Sequence, residues 1–464
     1  MGTGVYGIAL VFSGCQPAAP APDQPSSGPG GSDAVESIGI DTTVIDQTTV
    51  SIVRIDTHGV RVDEAWDREW VDVDLALLEG AGSVPPSLTD PPVWSGQGAV
   101  HLRGNSSMNY DKKQYALETR DADGADIDIA PFGLPEEEDW ILQGPYSDKT
   151  LMRNHLMYHW ARAIGRYAPR THFVELYLED SGGVLDADDY RGVYVFMEKV
   201  KRDSSRVDVA SLSATDSTEP AVSGGYLLKR DWLEGRELTT ALYQDALVLE
   251  YPDYDEITPE QWSYLEGYLN DFEASLARED GSYTSHADLD SFVDHMLMME
   301  LSRNVDAYVL STWMHKDRDG LLTMGPIWDF NGSLGNADYF ASWEIEGWHY
   351  DNPEFPADNP RGFDWYAQML KDEVYRQRLS ERWLQHRSDA WSDAALIADI
   401  DATAMLLEEA AARNFERWPV LGEYVWPNDF GAVERTSYAE EVDYLKTWTL
   451  ARAAWIDQEL RIDS

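Results

Sequence analysis

The chain has 464 residues, 43% of them hydrophobic, which is enough for a full core and too much for one small domain. Its 84 acidic residues against 36 Lys and Arg leave a formal net charge of −48, spread along the whole length. A phosphate backbone is repelled by such a field, which excludes nucleic acid as a partner.

In chain order, the first feature is an apolar run at 5–12, followed by Ser13-Gly14-Cys15, the only cysteine of the chain. The pattern resembles a bacterial lipoprotein processing site, so export and lipidation at Cys15 are expected, with that lipid as the sole membrane attachment. The run itself is too short to span a bilayer. Residues 16–31 are rich in Pro, Ala, Ser and Gly, as in a flexible tether, so 1–35 read as signal and linker.

Alternation of apolar and polar residues predicts strands over 44–57, 98–103 and 114–119, the last two flanking a polar loop at 104–113. A helix is expected over 148–164, with Leu151, Leu156, Trp160, Ala161 and Ile164 on its apolar face. Strands follow at 173–178, 192–197 and 224–229. Beyond Pro259 helices dominate, over 259–278, 289–303, 364–381, 394–414 and 436–460. The fold class is therefore α+β, with a β-rich part over 36–205 and a mainly helical part over 206–464.

Within the helical part, 299–336 reads as a β-hairpin with strands at 309–315 and 321–328. Lys316 to Gly320 makes the turn, and Asp319-Gly320 suits positive φ. Asp306 precedes this hairpin and Asp329 ends it, so the ribbon can bring both carboxylates to one cleft. On topology alone, a helix cap at Asp306 and a turn at Asp329 explain the pair equally well.

Arg103-Gly104-Asn105-Ser106-Ser107 leads to Lys112 and Lys113, which head the next strand. Small hydroxyls and backbone N–H groups can approach phosphate oxygens, and either lysine can neutralise them. The spacing is neither Walker A nor the kinase Gly-rich loop. His155 and His159 stand four apart on a predicted helix but lack the glutamate of a zinc protease, and read as a packed or surface pair. Asp317, Asp319 and Gly320 lack the other ligands of a calcium loop and read as a turn.

The loop and lysines are joined by Gly144-Pro145-Tyr146-Ser147-Asp148-Lys149-Thr150-Leu151-Met152-Arg153-Asn154 and by Tyr190-Arg191-Gly192-Val193-Tyr194-Val195-Phe196-Met197-Glu198. Asn304-Val305-Asp306 and Gly325-Pro326-Ile327-Trp328-Asp329-Phe330-Asn331 follow. In this order they resemble the spore coat protein H (CotH) kinase-like family. The resemblance implies a bilobal, atypical protein-kinase-like fold that transfers the γ-phosphate of ATP, with Mg²⁺ or Mn²⁺, to Ser or Thr of exported or surface proteins. It implies Asp306 as the catalytic aspartate and Asp329 as the metal-binding one, with Asn331 able to add an amide oxygen. Arg103, Ser106, Ser107, Lys112, Lys113, Arg153 and Glu198 are its candidates for the nucleotide and phosphate side, Arg153 either touching phosphate or pairing with Glu198. Two departures stand out: Ser311 occupies the place of the asparagine that holds a second metal in ordinary kinases, and Asn331 is neutral where relatives often carry a carboxylate. The alternative is a surface protein with little or no turnover that binds envelope polysaccharide or protein through its Trp and Tyr side chains.

Overall fold

Seven strands whose side chains alternate between two cores close into a barrel: β1 (Ser51–Asp56), β2 (Val71–Leu78), β3 (Trp94–Arg103), β4 (Gln114–Arg120), β5 (Asp139–Gln143), β6 (Thr171–Glu179) and β7 (Tyr190–Glu198). The order is β1-β2-β3-β4-β5-β7-β6, and parallel pairing of β1 with β6 shuts the ring. This computed structural model describes residues 48–460 apart from 65, 67, 81–83, 234 and 353–363; the expected signal, tether and Cys15 lie outside the described residues. Along β7, Tyr194 and Phe196 fill the barrel, while Val193, Val195 and Met197 face the larger core shared with α1 (Arg153–Ala163). Strands β2 and β5 add to those read from the sequence. The helix expected over 148–164 starts only at Arg153, because the Asp148 carboxylate accepts from the N–H groups of Thr150 (3.0 Å) and Arg153 (2.8 Å) and holds 148–152 in a turn.

Beyond 205 the chain is not only helical. A second sheet is formed by β8 (Tyr226–Arg230), β9 (Leu238–Thr239), β10 (Ala246–Tyr251), β11 (Thr312–Lys316) and β12 (Leu322–Met324), in the order β12-β11-β8-β10-β9. Around it lie α2 (Pro259–Leu276), α3 (Leu289–Ser302), α4 (Asp364–Met369), α5 (Glu373–Arg387), α6 (Asp393–Arg417) and α7 (Tyr438–Glu459). The helix expected over 364–381 is broken in two because the Asp372 side chain caps α5, accepting from Val374 N at 3.0 Å. Helix α6 packs on β7, where Asn414 Oδ1 accepts from Val193 N at 3.1 Å. The approach is so close that a Cβ on Gly192, whose φ is +95°, would lie 2.5 Å from that oxygen.

The expected hairpin is present, with Met314 opposite Met324 and Lys316 opposite Leu322. It begins later than its pattern suggests, because 304–310 fold into turns in which Val309 N and Leu310 N donate to Asp306 O (3.1 and 3.0 Å). It also ends earlier, since Pro326 has no N–H to extend the ladder. In the turn Gly320 N donates to Asp317 O at 3.1 Å, and the positive φ falls on Asp319 (51°) rather than on Gly320. Among the described residues no helix is long and apolar enough to cross a membrane.

Candidate active site

Arg303 ends α3 with φ 45° and turns the chain so that Asn304 sits between the two ends of the hairpin. The Asn304 side chain, 2% exposed, accepts from Asp306 N (3.0 Å) and donates to Asp329 O (2.7 Å). Asp329, itself at φ 59°, donates its N–H to Tyr158 Oη (3.2 Å), and Phe330 N donates to Asn154 Oδ1 (2.6 Å). Side chains from α1 and from the end of α3 thus hold the backbone on which both carboxylates are mounted. Asp306 and Asp329 line one cavity of about 770 Å³, together with Arg103, Ser106, Ser107, Ser311 and Asn331. The Gly/Ser loop closes one wall, where Arg68 donates to Gly104 O at 2.5 Å. Gly104 has φ +102°, and a Cβ there would collide with Ser107 Oγ.

Burial, then the charges of Asp329 and Asp231, push the Asp306 carboxyl up to about 7. Burial also raises Asp329, opposed by a hydrogen bond from Asn331 Nδ2 (2.9 Å) and by the positive charge of Arg103. Arg103, at the end of β3, lies 5.2 Å from the Trp328 ring centre; burial lowers its pKa while Asp329 draws it up. Asp231, just past β8, is a third carboxylate of the cavity, 3.6 Å from Lys229. The sequence reading misses it, for it is one acid among 84 with no motif around it.

The cavity around Asp329 is lined by the carboxylates of Asp306 and Asp231 and by the side-chain amides of Asn331 and Gln143, whose oxygens suit a hard divalent cation such as Mg²⁺ or Mn²⁺. One buried oxygen of the same cavity, Gln143 Oε1, has no hydrogen-bond partner among the described residues. The residues therefore fit such an ion, with Asp329 as the charged ligand. Asn331 as it stands turns its NH₂ to Asp329, while its Oδ1 accepts from Gln143 Nε2 (3.0 Å) and Asn154 Nδ2 (3.4 Å). Elsewhere, Asp128, Glu137 and Glu138 cluster closely, but Lys201 Nζ already reaches Glu137 (2.9 Å) and Glu138 (2.7 Å).

Lys112, Lys113, Arg153 and Glu198 do not line the cavity, and the geometry gives each a structural part instead. Lys112 is fully buried and donates to Val193 O (2.6 Å), Asn414 Oδ1 (2.7 Å) and Pro145 O (3.3 Å), tying the barrel to α6. Lys113 donates to Met108 O and Tyr110 O (2.9 and 2.7 Å). Arg153 pairs with Asp148 (2.5 Å) and donates to Ser333 O (3.1 Å), so it braces the segment after Asn331 and does not meet Glu198. Glu198 pairs with Arg170 (2.5 Å) and accepts from Tyr167 Oη (3.2 Å). Lys112→Ala is expected to cost about 3 kcal/mol of stability, since it leaves buried acceptors unpaired beside a new void. Denaturant titration of the variant beside the wild type checks the loss. The His155 ring is half-buried with Nδ1 2.7 Å from Thr171 Oγ1, while His159 is exposed, in keeping with a packed or surface pair.

Comparison with curated proteins returns no match. A family model described as CotH kinase protein matches residues 100–456, a span that holds Arg103, both aspartates and the hairpin between them. The match covers well over half of the chain, which thus belongs to the CotH kinase protein family.

Proposed function

We propose that this protein transfers the γ-phosphoryl group of ATP, in the presence of Mg²⁺ or Mn²⁺, to Ser or Thr hydroxyls of exported or surface proteins. The observation that carries the reading is the pair of carboxylates at the two ends of one hairpin, facing a single cavity that also holds Arg103. In the reaction the acceptor oxygen bonds to the γ-phosphorus, the bond from that phosphorus to the bridging oxygen of ADP breaks, and the hydroxyl proton passes to Asp306. A carboxyl held near 7 is a stronger base than an ordinary one and is still partly ionised at neutral pH. Asp329, with Asn331 beside it, would hold the divalent cation. When bound, that cation neutralises the charge of the β- and γ-phosphates. Arg103 turns its guanidinium to phosphate oxygens, and the Ser106-Ser107 loop offers hydroxyls and N–H groups to the same chain of phosphates.

Purified protein with labelled ATP and Mg²⁺ or Mn²⁺ is expected to transfer label to itself or to a Ser/Thr-rich acceptor. Asp329→Ala is expected to lower that transfer by about a hundredfold or more. Metal-dependent transfer that Asp329→Ala leaves intact, or none from the wild type, overturns the reading. A second reading, binding without turnover, is favoured by Tyr339 and Trp426, which stack on the cavity wall with ring centres 6.1 Å apart and planes 4° from parallel. Such a platform suits a sugar ring, and saturable polysaccharide binding that survives Asp306→Ala would favour it.

Export and lipidation at Cys15 complete the proposal, supported by the apolar run at 5–12 and the Ser13-Gly14-Cys15 sequence. In cells fed labelled palmitate, wild type is expected to take up label and Cys15→Ala to take up none. Labelling equal in both would remove the anchor from the proposal.

A further inference from the structure

Gln143 ends β5, is 3% exposed, and lines the cavity beside Asn331. Its Nε2 donates to Asn331 Oδ1 at 3.0 Å, while its Oε1 is left unpartnered among the described residues. A buried amide oxygen without a donor is costly, and nothing about a barrel strand end requires it. The partner amide has the complementary anomaly: Asn331 Nδ2, not Oδ1, faces Asp329. An NH₂ group there satisfies a bare carboxylate, but it repels a cation that binds the same oxygen.

We infer that Gln143 is a positioning residue whose amide turns together with that of Asn331 when a divalent cation binds Asp329. Rotation of both amides by a half-turn brings Asn331 Oδ1 to the cation and Asn331 Nδ2 to Gln143 Oε1. The Gln143–Asn331 pair keeps one hydrogen bond, now with donor and acceptor exchanged. One polar atom of Gln143 is unpartnered before the turn, and one takes its place afterwards. The main bond lost is from Asn331 to Asp329, which the cation replaces; the 3.4 Å contact from Asn154 Nδ2 becomes donor against donor, a cost kept small by its length and set against the new bond from Asn331 Oδ1 to the ion. Asn154 itself cannot turn with them, because its Oδ1 is engaged by Phe330 N at 2.6 Å. A neutral asparagine thereby supplies a ligand oxygen only when the ion is present, and a carboxylate at the same position would need no such partner. The inference rests on the phosphotransfer reading for the presence of a cation at Asp329.

The test titrates Mn²⁺ alone into the whole chain and follows free Mn²⁺ by its electron paramagnetic resonance signal. Gln143→Glu can only accept, so it presets Asn331 Oδ1 toward the ion and is expected to tighten Mn²⁺ about tenfold. In an Asn331→Asp background the same change opposes two carboxylates and is expected to weaken Mn²⁺ instead. An equal shift in both backgrounds means that added charge alone acts, and overturns the inference. A crystal structure of the unmutated protein with Mn²⁺ needs no variant to fold: it should show the Asn331 side-chain oxygen within about 2.3 Å of the ion. An ion on Asp329 with Asn331 out of reach overturns the inference and leaves the phosphotransfer reading standing. No saturable Mn²⁺ binding by the wild type overturns both.

Discussion

Asp306→Asn is expected to lower phosphate transfer by about 10³-fold while making the protein more stable above neutral pH. The two effects share one cause, the burial and neighbouring charge that hold the Asp306 carboxyl near 7. In the unfolded chain this group titrates near its ordinary value of 3.8. Between about pH 4 and pH 7 the folded protein therefore keeps a proton that the unfolded chain has released. Because the folded pKa lies above the unfolded one, the wild type loses stability as pH rises through that window, and the loss is complete above it. Asparagine cannot ionise and escapes the loss. The gain at pH 8 is on the order of 2 kcal/mol, smaller than the full linkage value because the side chain is only partly shielded from solvent. Near pH 4 the two proteins should unfold alike. Denaturant titrations in EDTA at both pH values check this, since a divalent cation would itself stabilise the ionised pair. A variant less stable than wild type at pH 8 would mean that Asp306 serves the fold rather than a proton.

The part of this arrangement that was legible in the sequence is local. Hairpin strands, a polar turn and an acid at either end lie within a few dozen residues, and their order alone brings the acids together. Most of the barrel was legible for the same reason, because apolar alternation marks each strand wherever its partner lies. Strand β2 was missed because its outward positions carry aspartates, which favour turns over strands. Strand β5, Asp-Trp-Ile-Leu-Gln, is too short to show a period. The lysines illustrate what pattern cannot supply: Lys112 heads a strand after a Gly/Ser loop, yet its ammonium is claimed by Asn414, 302 residues further on. Glu198 meets Arg170 through a similar long-range pairing across the end of β7. Arg103 differs because the strand that carries it ends at the cavity wall, so its place follows from the fold's geometry and not from its neighbours in sequence. Asn154 and Asn304 were present as letters inside the motifs, but each holds a backbone group of the Asp329-Phe330 segment, far off in sequence, and no spacing rule announces that.

Asn304 is where that omission matters most, and its substitution is expected to have the second large effect. One amide supplies an acceptor to Asp306 N and a donor to Asp329 O, and so fixes the distance between the two loops from the inside. Asn304→Ala leaves both backbone groups without a partner in a site that is 2% exposed, at a cost of about 3 kcal/mol. Because the two aspartates must be held to a fraction of an ångström, transfer is expected to fall about a hundredfold even in the fraction that remains folded. Asn304→Asp should be worse despite its closer shape. It keeps the acceptor, loses the donor, and sets a third buried negative charge against a carbonyl oxygen beside a carboxylate pair that is already hard to ionise. The predicted ranking in both stability and transfer is wild type, then alanine, then aspartate, read by denaturant titration and by labelled ATP on the same preparations. Alanine with wild-type transfer would show that the hairpin ends hold their own spacing. Aspartate milder than alanine would show that shape, and not the amide's paired donor and acceptor, is what the two loops require.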